Sequence, residues 1–334
     1  MSALIAAAPP ATCPSRHASA RAPDRFRIIR ATVSRLRNRI LVAIASAATC
    51  LCVSLSSLHA QTVDVPEFVD GHVHLNAPGA WLTLMDENRI SHAIVLRGRA
   101  IDNAGLLEAA RRWPERLIPF LSVSPEHREY RPLWIADDTE LGAITDSLMD
   151  SGGFRGIGEI SVSHFPGAGF PEADFDPNGR SMRSILDVAR KYSVPMLVHV
   201  ELTRLSEFEK LLDAFEDVTV IWAHGGYTPL VLAERMLSRH PNLVYELSAR
   251  TWPIHPRSPD YTILRDGNAV WPAWIDLIER MPGRFVVGTD ASLRSAESDQ
   301  AKIGSVQNFL SQLQPEVRRR VASGNLMRLV HVEK

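Results

Sequence analysis

Short apolar runs alternate along most of the chain with longer segments in which apolar residues recur every three to four positions. The short runs, rich in Val, Ile and Leu, are typical of β-strands, and the longer pattern is typical of amphipathic helices. Within 206–215, for example, one face of a helix would carry Phe208, Leu211, Leu212 and Phe215. Strands and helices that alternate in this way predict parallel βα units.

Eight such strand–helix units follow one another. The predicted strands cover Phe68–Leu75, Ile90–Leu96, Leu117–Val123, Arg155–Val162, Pro195–Val200, Thr219–Ala223, Leu243–Leu247 and Arg284–Gly288. The predicted helices cover Trp81–Arg89, Asn103–Arg112, Leu141–Met149, Met182–Tyr192, Ser206–Phe215, Leu230–Arg239, Trp274–Arg280 and Ile303–Leu313, and a last helix covers Pro315–Arg328.

The order and number of these units favour an α/β protein with a single closed (β/α)8, or TIM, barrel. Such a barrel typically takes about 250 residues, and residues 61–334 provide a body of 274 residues. An open doubly wound sheet is the alternative, but it would usually carry fewer strands and a glycine-rich phosphate loop after the first strand. No G-x-G-x-x-G sequence follows Phe68–Leu75.

The first sixty residues differ in composition from the body. Residues 1–60 hold eight Arg, no Lys and one acidic residue, Asp24, so their net charge is about +7, whereas that of residues 61–334 is about −8. We therefore divide the chain into a leader (1–60), whose start we expect to be disordered, and one barrel domain (61–334). An acidic body without a Lys/Arg stripe argues against nucleic-acid binding.

The leader has the order of features of a secretory signal. Five arginines within 27–39 precede the uncharged, apolar stretch Ile40–Leu58, and a basic segment before an apolar one is typical of signal peptides. We expect cleavage between Ala60 and Gln61, export to the periplasm or the medium, and no stable membrane insertion afterwards. The alternative is an uncleaved N-terminal anchor, since about 20 apolar residues can span a bilayer.

All three cysteines lie in the leader, at Cys13, Cys50 and Cys52. The body therefore has no disulfide and no thiolate ligand. Any metal ion in the body must be held by histidine and carboxylate side chains.

Two histidines stand at the end of the first predicted strand, His72 and His74. Side chains two positions apart on a strand point to the same face. Two neutral imidazoles on one face can bind a single metal ion, although an ordinary pair of strand histidines is an equal alternative when this segment is considered by itself.

Four further residues of metal-binding type close other predicted strands: Glu159, His199, His224 and Asp290. The carboxyl ends of all strands of a barrel meet on one rim, where barrel active sites lie. Burying so many polar groups without partners would cost several kcal/mol each. A shared metal ion would offset much of that cost, so the sequence predicts a metal centre on this rim.

This pattern resembles the amidohydrolase superfamily. The resemblance rests on the segment Asp70–His74, on the strand-end residues His199, His224 and Asp290, and on Gly324–Leu329, which is similar to the Asn-Ala-x-Arg-Leu ending of one branch. That branch, the amidohydrolase-related proteins, contains metal-dependent hydrolases, lactonases and ring-acid decarboxylases. The resemblance covers the whole body and none of the leader.

The resemblance implies a role for each matching residue. His72 and His74 would bind the metal from strand 1, and His199 would bind it from strand 5. Asp290 would bind the metal or its water and carry a proton. His224 would polarise the substrate oxygen or bind a second metal ion.

Glu159 leaves the number of ions open. The segment Gly158–Ile160 resembles the strand of TatD-type metal-dependent deoxyribonucleases, but Ile160–Ser163 lacks the Gly-Leu-Asp-Tyr of that family. With Glu159 as a bridge, two ions would be held by His72, His74 and Asp290 on one side and by His199 and His224 on the other. Alternatively, Glu159 hydrogen-bonds a ligand histidine around a single ion. We expect one or two divalent ions, zinc first, with Mn2+ or Fe2+ as alternatives.

Two arginines are candidates for binding a substrate carboxylate. Arg97 follows strand 2 and Arg250 follows strand 7, where alternation places Glu246, Ser248 and Arg250 on one face. If that face turns inward, Arg250 reaches the mouth of the barrel and could clamp a carboxylate. A surface ion pair is the alternative for each arginine. Long loops after strands 4 and 7, 163–180 and 250–272, have the positions of lids.

These features favour an exported metal-dependent hydrolase that activates water to cleave an ester, lactone or amide bond in a small molecule. The alternatives are a decarboxylase of a cyclic or aromatic acid and a non-catalytic metal-binding barrel. The sequence leaves open whether the protein forms a homo-oligomer.

Overall fold

A computed structural model describes residues 66–165, 172–251, 262–293 and 295–330. The strands of its main sheet are β1 (Phe68–Leu75), β2 (Ile90–Arg97), β3 (Leu117–Leu121), β4 (Gly156–His164), β5 (Met196–Val200), β6 (Val220–Trp222), β7 (Leu243–Glu246) and β8 (Phe285–Val286). The helices are α1 (Pro78–Glu87), α2 (Asn103–Arg112), α3 (Arg131–Ala136), α4 (Glu140–Asp150), α5 (Arg180–Tyr192), α6 (Leu205–Ala214), α7 (Leu230–Arg239), α8 (Pro272–Arg280), α9 (Ala296–Ser311), α10 (Pro315–Arg319) and α11 (Asn325–Leu329).

The eight strands pair in chain order from β1 to β8, and each is parallel to the next. The segment after β8 returns to β1: the Gly71 amide donates to Val287 O at 2.9 Å, and the His74 amide donates to Ala291 O at 2.8 Å. These bonds nearly close the sheet and confirm the predicted TIM barrel. The predicted leader, 1–60, lies outside the described residues.

Two apolar clusters follow from the alternation of side chains along the strands. The larger lies between the strands and the surrounding helices, and the smaller fills the barrel interior. Leu326 and Met327 of α11 belong to the interior cluster. Asn325 donates to Phe285 O at 2.8 Å, which fixes α11 where β8 begins. Apolar side chains thus fill the end of the barrel where the strands begin, and the polar groups lie at the opposite end, where the strands end.

Most predicted bounds lie within about three residues of the observed ones, but one helix was missed and two helical predictions were incomplete. Helix α3 was not predicted. Helix α9 begins at Ala296 rather than near Ile303, because the Ser295 side chain accepts from the Ser298 amide and caps the helix. The predicted helix Pro315–Arg328 is interrupted by one π-helical turn, Arg320–Gly324.

The two long segments predicted as loops contain short hairpin pairings. Ala173–Asp174 pairs antiparallel with the end of β4, and Leu264–Arg265 pairs with Ala269–Val270. Residues 166–171 and 252–261 of these segments lie outside the described residues, so the proposed lid role stays a prediction. No helix in the described part of the chain is long and apolar enough to cross a membrane.

Candidate metal centre

The end of β1 is held by a buried carboxylate. Asp70 accepts from the His72 amide at 3.1 Å, the Thr289 amide at 2.9 Å and the Thr289 hydroxyl at 2.6 Å. Burial raises the pKa of Asp70 to about 7, although these hydrogen bonds favour its charged form. The two bonds from Thr289 join β1 to the segment after β8, in which Asp290 Oδ1 lies 3.7 Å from His72 Nε2.

Glu159 lies at the centre of the four histidines. Its Oε2 is 3.2 Å from the Nε2 atoms of both His72 and His74. Its Oε1 is 3.2 Å from His199 Nδ1 and 3.7 Å from His224 Nε2. One carboxylate therefore faces one pair of histidines with each oxygen. The structure brings together all six residues that the sequence predicted to bind metal, since Asp290 Oδ1 lies 3.5 Å from His74 Nε2.

Each histidine turns its second ring nitrogen outward to another partner. The outer contacts are His72 Nδ1 to Glu246 Oε2 at 3.3 Å, His74 Nδ1 to Arg97 O at 3.2 Å, His199 Nε2 to Glu201 Oε1 at 3.2 Å, and His224 Nδ1 to Ser248 Oγ at 2.8 Å. An acceptor at the outer nitrogen fixes the proton there. When such an imidazole is neutral, its inner nitrogen therefore carries a lone pair that points towards Glu159.

Such an arrangement of lone pairs and carboxylate oxygens requires a positive charge. Glu159 Oε1 is buried and has no hydrogen-bond partner among the described residues. Burial alone would raise the pKa of Glu159, but the charge on His72 holds it well below its usual range. Burial would lower the pKa of His199, yet the adjacent carboxylates of Glu159 and Glu201 raise it to about 9. Protons and metal ions therefore compete for this centre.

The inner atoms fit a divalent cation. They form two overlapping groups of ligand atoms that lie within 4.8 Å of one another: His72, Glu159 and His224, and His72, His74 and Asp290. The Nε2 atoms of His72 and His74 are 3.3 Å apart, about the separation of two nitrogens on a tetrahedral ion with bonds of ~2.0–2.1 Å. Imidazole and carboxylate ligands suit zinc, manganese or iron.

Asp290 lies on the solvent side of the centre. Its side chain is 27% exposed, whereas that of Glu159 is 6% exposed. Burial alone would raise the pKa of Asp290, but the charges of His72 and His224 lower it. The Lys302 ammonium donates to Asp290 O at 2.6 Å and so fixes the backbone, which has a left-handed φ of 50° at this residue.

His224 enters the centre from a tight turn after β6. Four consecutive residues, His224 to Tyr227, have φ between 52° and 56°. Two of them are glycines, and a Cβ on Gly225 would lie 1.7 Å from the Tyr245 ring. The turn stacks the Tyr227 ring on His224, with centroids 5.2 Å apart and an interplanar angle of 10°. Burial, reinforced by the charge on His199, lowers the pKa of His224 to about 4.

The two arginines predicted to bind substrate have other partners. The Arg97 guanidinium forms an ion pair with Glu129. Arg250 is 1% exposed and donates to Thr228 O at 2.8 Å. In this geometry neither guanidinium is available at the mouth of the barrel to bind a substrate carboxylate.

Arg250 does not lie on the inward face as the alternation predicted, because the alternation stops before it, and its substrate role stays a prediction. Glu246 and Ser248 do face the centre, where they contact His72 and His224, and Tyr245 packs against the helices, as the pattern predicted. Ala249 then takes a left-handed φ of 56°. This turn sends Arg250 away from the inward face.

Sequence reasoning gave no role to three residues that shape the centre: Glu246, Ser248 and Tyr227. Glu246 and Ser248 were recognised as sharing a face, but nothing in the sequence showed that this face meets His72 and His224. Tyr227 carried no signal beyond its position three residues after a strand-end histidine.

Fold and centre together define a TIM barrel with residues of metal-binding type at the carboxyl ends of its strands. The chain belongs to the amidohydrolase family, whose sequence profile matches residues 76–332. This confirms the resemblance noted in the sequence. No curated protein sequence matches the chain.

Solved structures share the fold at low sequence identity. An uncharacterised TIM-barrel protein from Bordetella bronchiseptica is 14% identical, with a TM-score of 0.56 over 80% of this chain and 99% of its own. A dihydroxybenzoic acid decarboxylase from a Polaromonas species, with bound manganese and 2-nitroresorcinol, is 14% identical, with a TM-score of 0.53 over 78% of this chain and 87% of its own. A zinc-bound amidohydrolase from Burkholderia multivorans is 13% identical, with a TM-score of 0.51 over 80% of this chain and 100% of its own.

Proposed function

We propose that the protein is a hydrolase that uses two divalent ions to cleave an ester, lactone or amide bond in a small molecule. The observation that carries this proposal is the position of Glu159. Its two carboxylate oxygens face different pairs of histidines, His72 with His74 and His199 with His224. Such a carboxylate is suited to bridge two ions, the arrangement that stabilises both the attacking and the leaving oxygen in a displacement.

The alternative, in which Glu159 only hydrogen-bonds a histidine that binds a single ion, agrees less well with its position. A supporting carboxylate bonds the outer nitrogen of a ligand histidine. Those outer positions are already taken, for instance by Glu246 at His72 and by Glu201 at His199. Glu159 lies on the inner side of all four rings, where an ion would lie.

We name the two halves of the centre by their strands. The β1 side consists of His72, His74 and Asp290, and the β5–β6 side consists of His199 and His224. Zinc is the first candidate for both halves, and manganese or iron are the alternatives.

A divalent ion bound here would supply Lewis acidity and lower the pKa of a bound water molecule to about 7. Asp290 has the properties of the proton carrier, since its carboxylate is partly exposed, ionised and beside His74. It would take the proton from water and deliver it to the leaving group. His224 is held at Nδ1 by Ser248, which leaves Nε2 as a ligand for the β5–β6 side.

The described residues favour hydrolysis over decarboxylation of an acid. An enzyme that decarboxylates must hold a carboxylate anion. The side chains that surround the described centre include the carboxylates of Glu159, Glu201 and Asp290, whereas Arg97 is paired with Glu129. Divalent ions in the centre would offset these carboxylate charges, so the argument for an uncharged ester, lactone or amide is that neither Arg97 nor Arg250 is available to hold a substrate carboxylate.

The test is metal analysis of the purified protein combined with a substrate panel. We expect two equivalents of metal, turnover of at least one ester, lactone or amide, and one equivalent in E159Q, because the amide cannot bridge as an anion. E129Q, which changes an exposed carboxylate near the rim, should keep two equivalents. Carbon dioxide release from an aromatic acid would establish the decarboxylase instead. Two tightly bound ions without turnover would favour the non-catalytic barrel, and one equivalent in the wild type would exclude the two-ion centre.

We also propose that the protein is exported, which rests on the basic and apolar segments of 27–58. Expression of the full chain in a Gram-negative host should give periplasmic protein that begins at Gln61. Retention of the full-length chain in the membrane fraction would favour the anchor.

A further inference from the structure

The turn that presents His224 has a backbone conformation that needs outside support. His224 and Tyr227 both adopt left-handed φ values, 56° and 55°. For residues other than glycine this conformation is sterically unfavourable, and such strain persists only where the surroundings over-determine it. Some neighbouring group must therefore hold the turn, and with it the His224 imidazole.

Arg250 contacts both ends of this turn. Its Nη2 donates to Thr228 O at 2.8 Å, and its Nη1 lies at the longer hydrogen-bond distance of 3.4 Å from His224 O. The guanidinium is planar and presents its donors in a fixed fork. One side chain thus joins the first residue of the turn to the residue that follows it.

The burial of Arg250 makes a purely space-filling role unfavourable. The side chain is 1% exposed, and its electrostatic partners among the described residues are the tyrosines Tyr245 and Tyr227 rather than a carboxylate. Its guanidinium carbon lies 5.3 Å from the Trp274 ring centroid and 5.8 Å from that of Tyr245. Burying a charge is strongly unfavourable unless dipoles or aromatic rings compensate it. An apolar side chain would fill the same space without that cost.

We propose that Arg250 is a positioning residue that holds the His224–Tyr227 turn and thereby completes the β5–β6 side of the metal centre. This inference rests on the two-ion centre proposed above. It predicts that loss of the Arg250 guanidinium makes the turn more mobile and weakens the binding of the ion on the β5–β6 side. The β1 side, which Arg250 does not touch, should keep its affinity.

The experiment compares R250M and R250K with the wild type in titrations of metal-depleted protein with Zn2+ alone. In R250M we expect one ion to bind about 10–100-fold more weakly, the usual effect of losing a residue that orients a ligand, while the other ion binds as before. R250K keeps the charge but has a single ammonium group, so we expect a smaller loss. Amide exchange of a peptide that covers 223–228 should be faster in both variants.

Arg284 provides the matched control. Its guanidinium also donates to backbone carbonyls, at 2.9 Å to Leu243 O and 3.0 Å to Leu237 O, but it lies where β8 begins. R284M should lower the unfolding temperature and leave both zinc affinities and exchange at 223–228 unchanged. A general loss of stability would therefore not reproduce the pattern expected of R250M.

Two results would overturn the inference: wild-type affinity for both ions in R250M, or unchanged exchange at 223–228 in R250K. If R250M does not fold, the zinc titration and exchange of R250K decide the question. If the wild type binds a single ion, the two-ion proposal fails, and exchange at 223–228 alone then decides whether Arg250 holds the turn.

Discussion

His72 Nδ1 lies 3.3 Å from Glu246 Oε2, and both side chains are completely buried. The same carboxylate accepts from the His224 amide at 3.2 Å and from the Ser248 hydroxyl at 2.7 Å. Burial alone would raise the pKa of Glu246, but the hydrogen bond with His72 lowers it. One ionised group thus sets the orientation of a histidine on the β1 side and of the backbone that carries a histidine on the β5–β6 side.

Replacing Glu246 with glutamine should therefore weaken metal binding. The E246Q variant keeps the size of the side chain but loses the charge, and its amide cannot accept from all these donors at once. We expect an affinity about 10–100-fold lower for the ion on the β1 side, measured by competition with a chromophoric chelator. E129Q is the control, because Glu129 pairs with Arg97 on the rim. Equal affinities in E246Q and the wild type would show that Glu246 only fills space.

The sequence allowed prediction of the barrel and the residues that converge in it. Alternation along β1 placed His72 and His74 on one face, and the strand-end positions of Glu159, His199 and Asp290 followed from the apolar runs before them. Alternation and strand-end position can both be identified locally in the sequence. Because the ends of parallel strands meet on one rim of a closed barrel, residues at these positions lie close together.

Partners across the barrel could not be predicted in the same way. Glu246 contacts His72, 174 positions away, and the contact depends on the stagger between strands, which a single sequence does not give. Arg250 departs from the alternating pattern because of the left-handed φ at Ala249, a residue type that gives no signal for that conformation. The backbone turns that follow the strand ends thus could not be predicted from the sequence.

Asp290 should carry the proton in catalysis without being essential for metal binding. In D290N the amide keeps an oxygen that can face the β1 side but cannot take up a proton at neutral pH. We expect kcat to fall by about 10²–10⁴, the usual contribution of a positioned acid or base. Metal content, measured on the same sample, should stay at two equivalents. A fall in kcat that only accompanies loss of metal would assign Asp290 a purely ligand role.

Gly225 should tolerate no side chain, because a Cβ there would clash with a neighbouring ring. A second glycine with positive φ but open space around it allows this steric effect to be measured separately from the cost of the backbone conformation. A Cβ there would lie 1.7 Å from the Tyr245 ring, whereas one on Gly267 would meet nothing within 4 Å, although both residues have positive φ, 52° and 70°. We expect G267A to lower the free energy of unfolding by about 1–2 kcal/mol. G225A adds overpacking, so we expect a loss of about 3 kcal/mol or more. Denaturant unfolding of the metal-free variants measures both, and equal losses would show that the turn relaxes around the new methyl group.

His127 should make the metal-free protein less stable in mild acid. Its Nε2 lies 2.9 Å from Ser122 Oγ, and burial, reinforced by the charge of Arg97, lowers its pKa to about 4. In the unfolded chain its pKa is about 6.5. Because the folded pKa is the lower one, the contribution of His127 to stability is complete above pH ~6.5 and is lost as the pH falls towards ~4.

The predicted loss is about 2–3 kcal/mol over this range, since each pKa unit corresponds to about 1.4 kcal/mol. Other histidines titrate in the same range, so the measurement is the difference between the wild type and H127Q, whose glutamine does not titrate. Denaturant unfolding of both metal-free proteins at pH 4.5 and pH 7.5 should show a smaller pH dependence for H127Q. Parallel pH profiles for the two proteins would mean that His127 is protonated in the folded state as readily as in the unfolded chain.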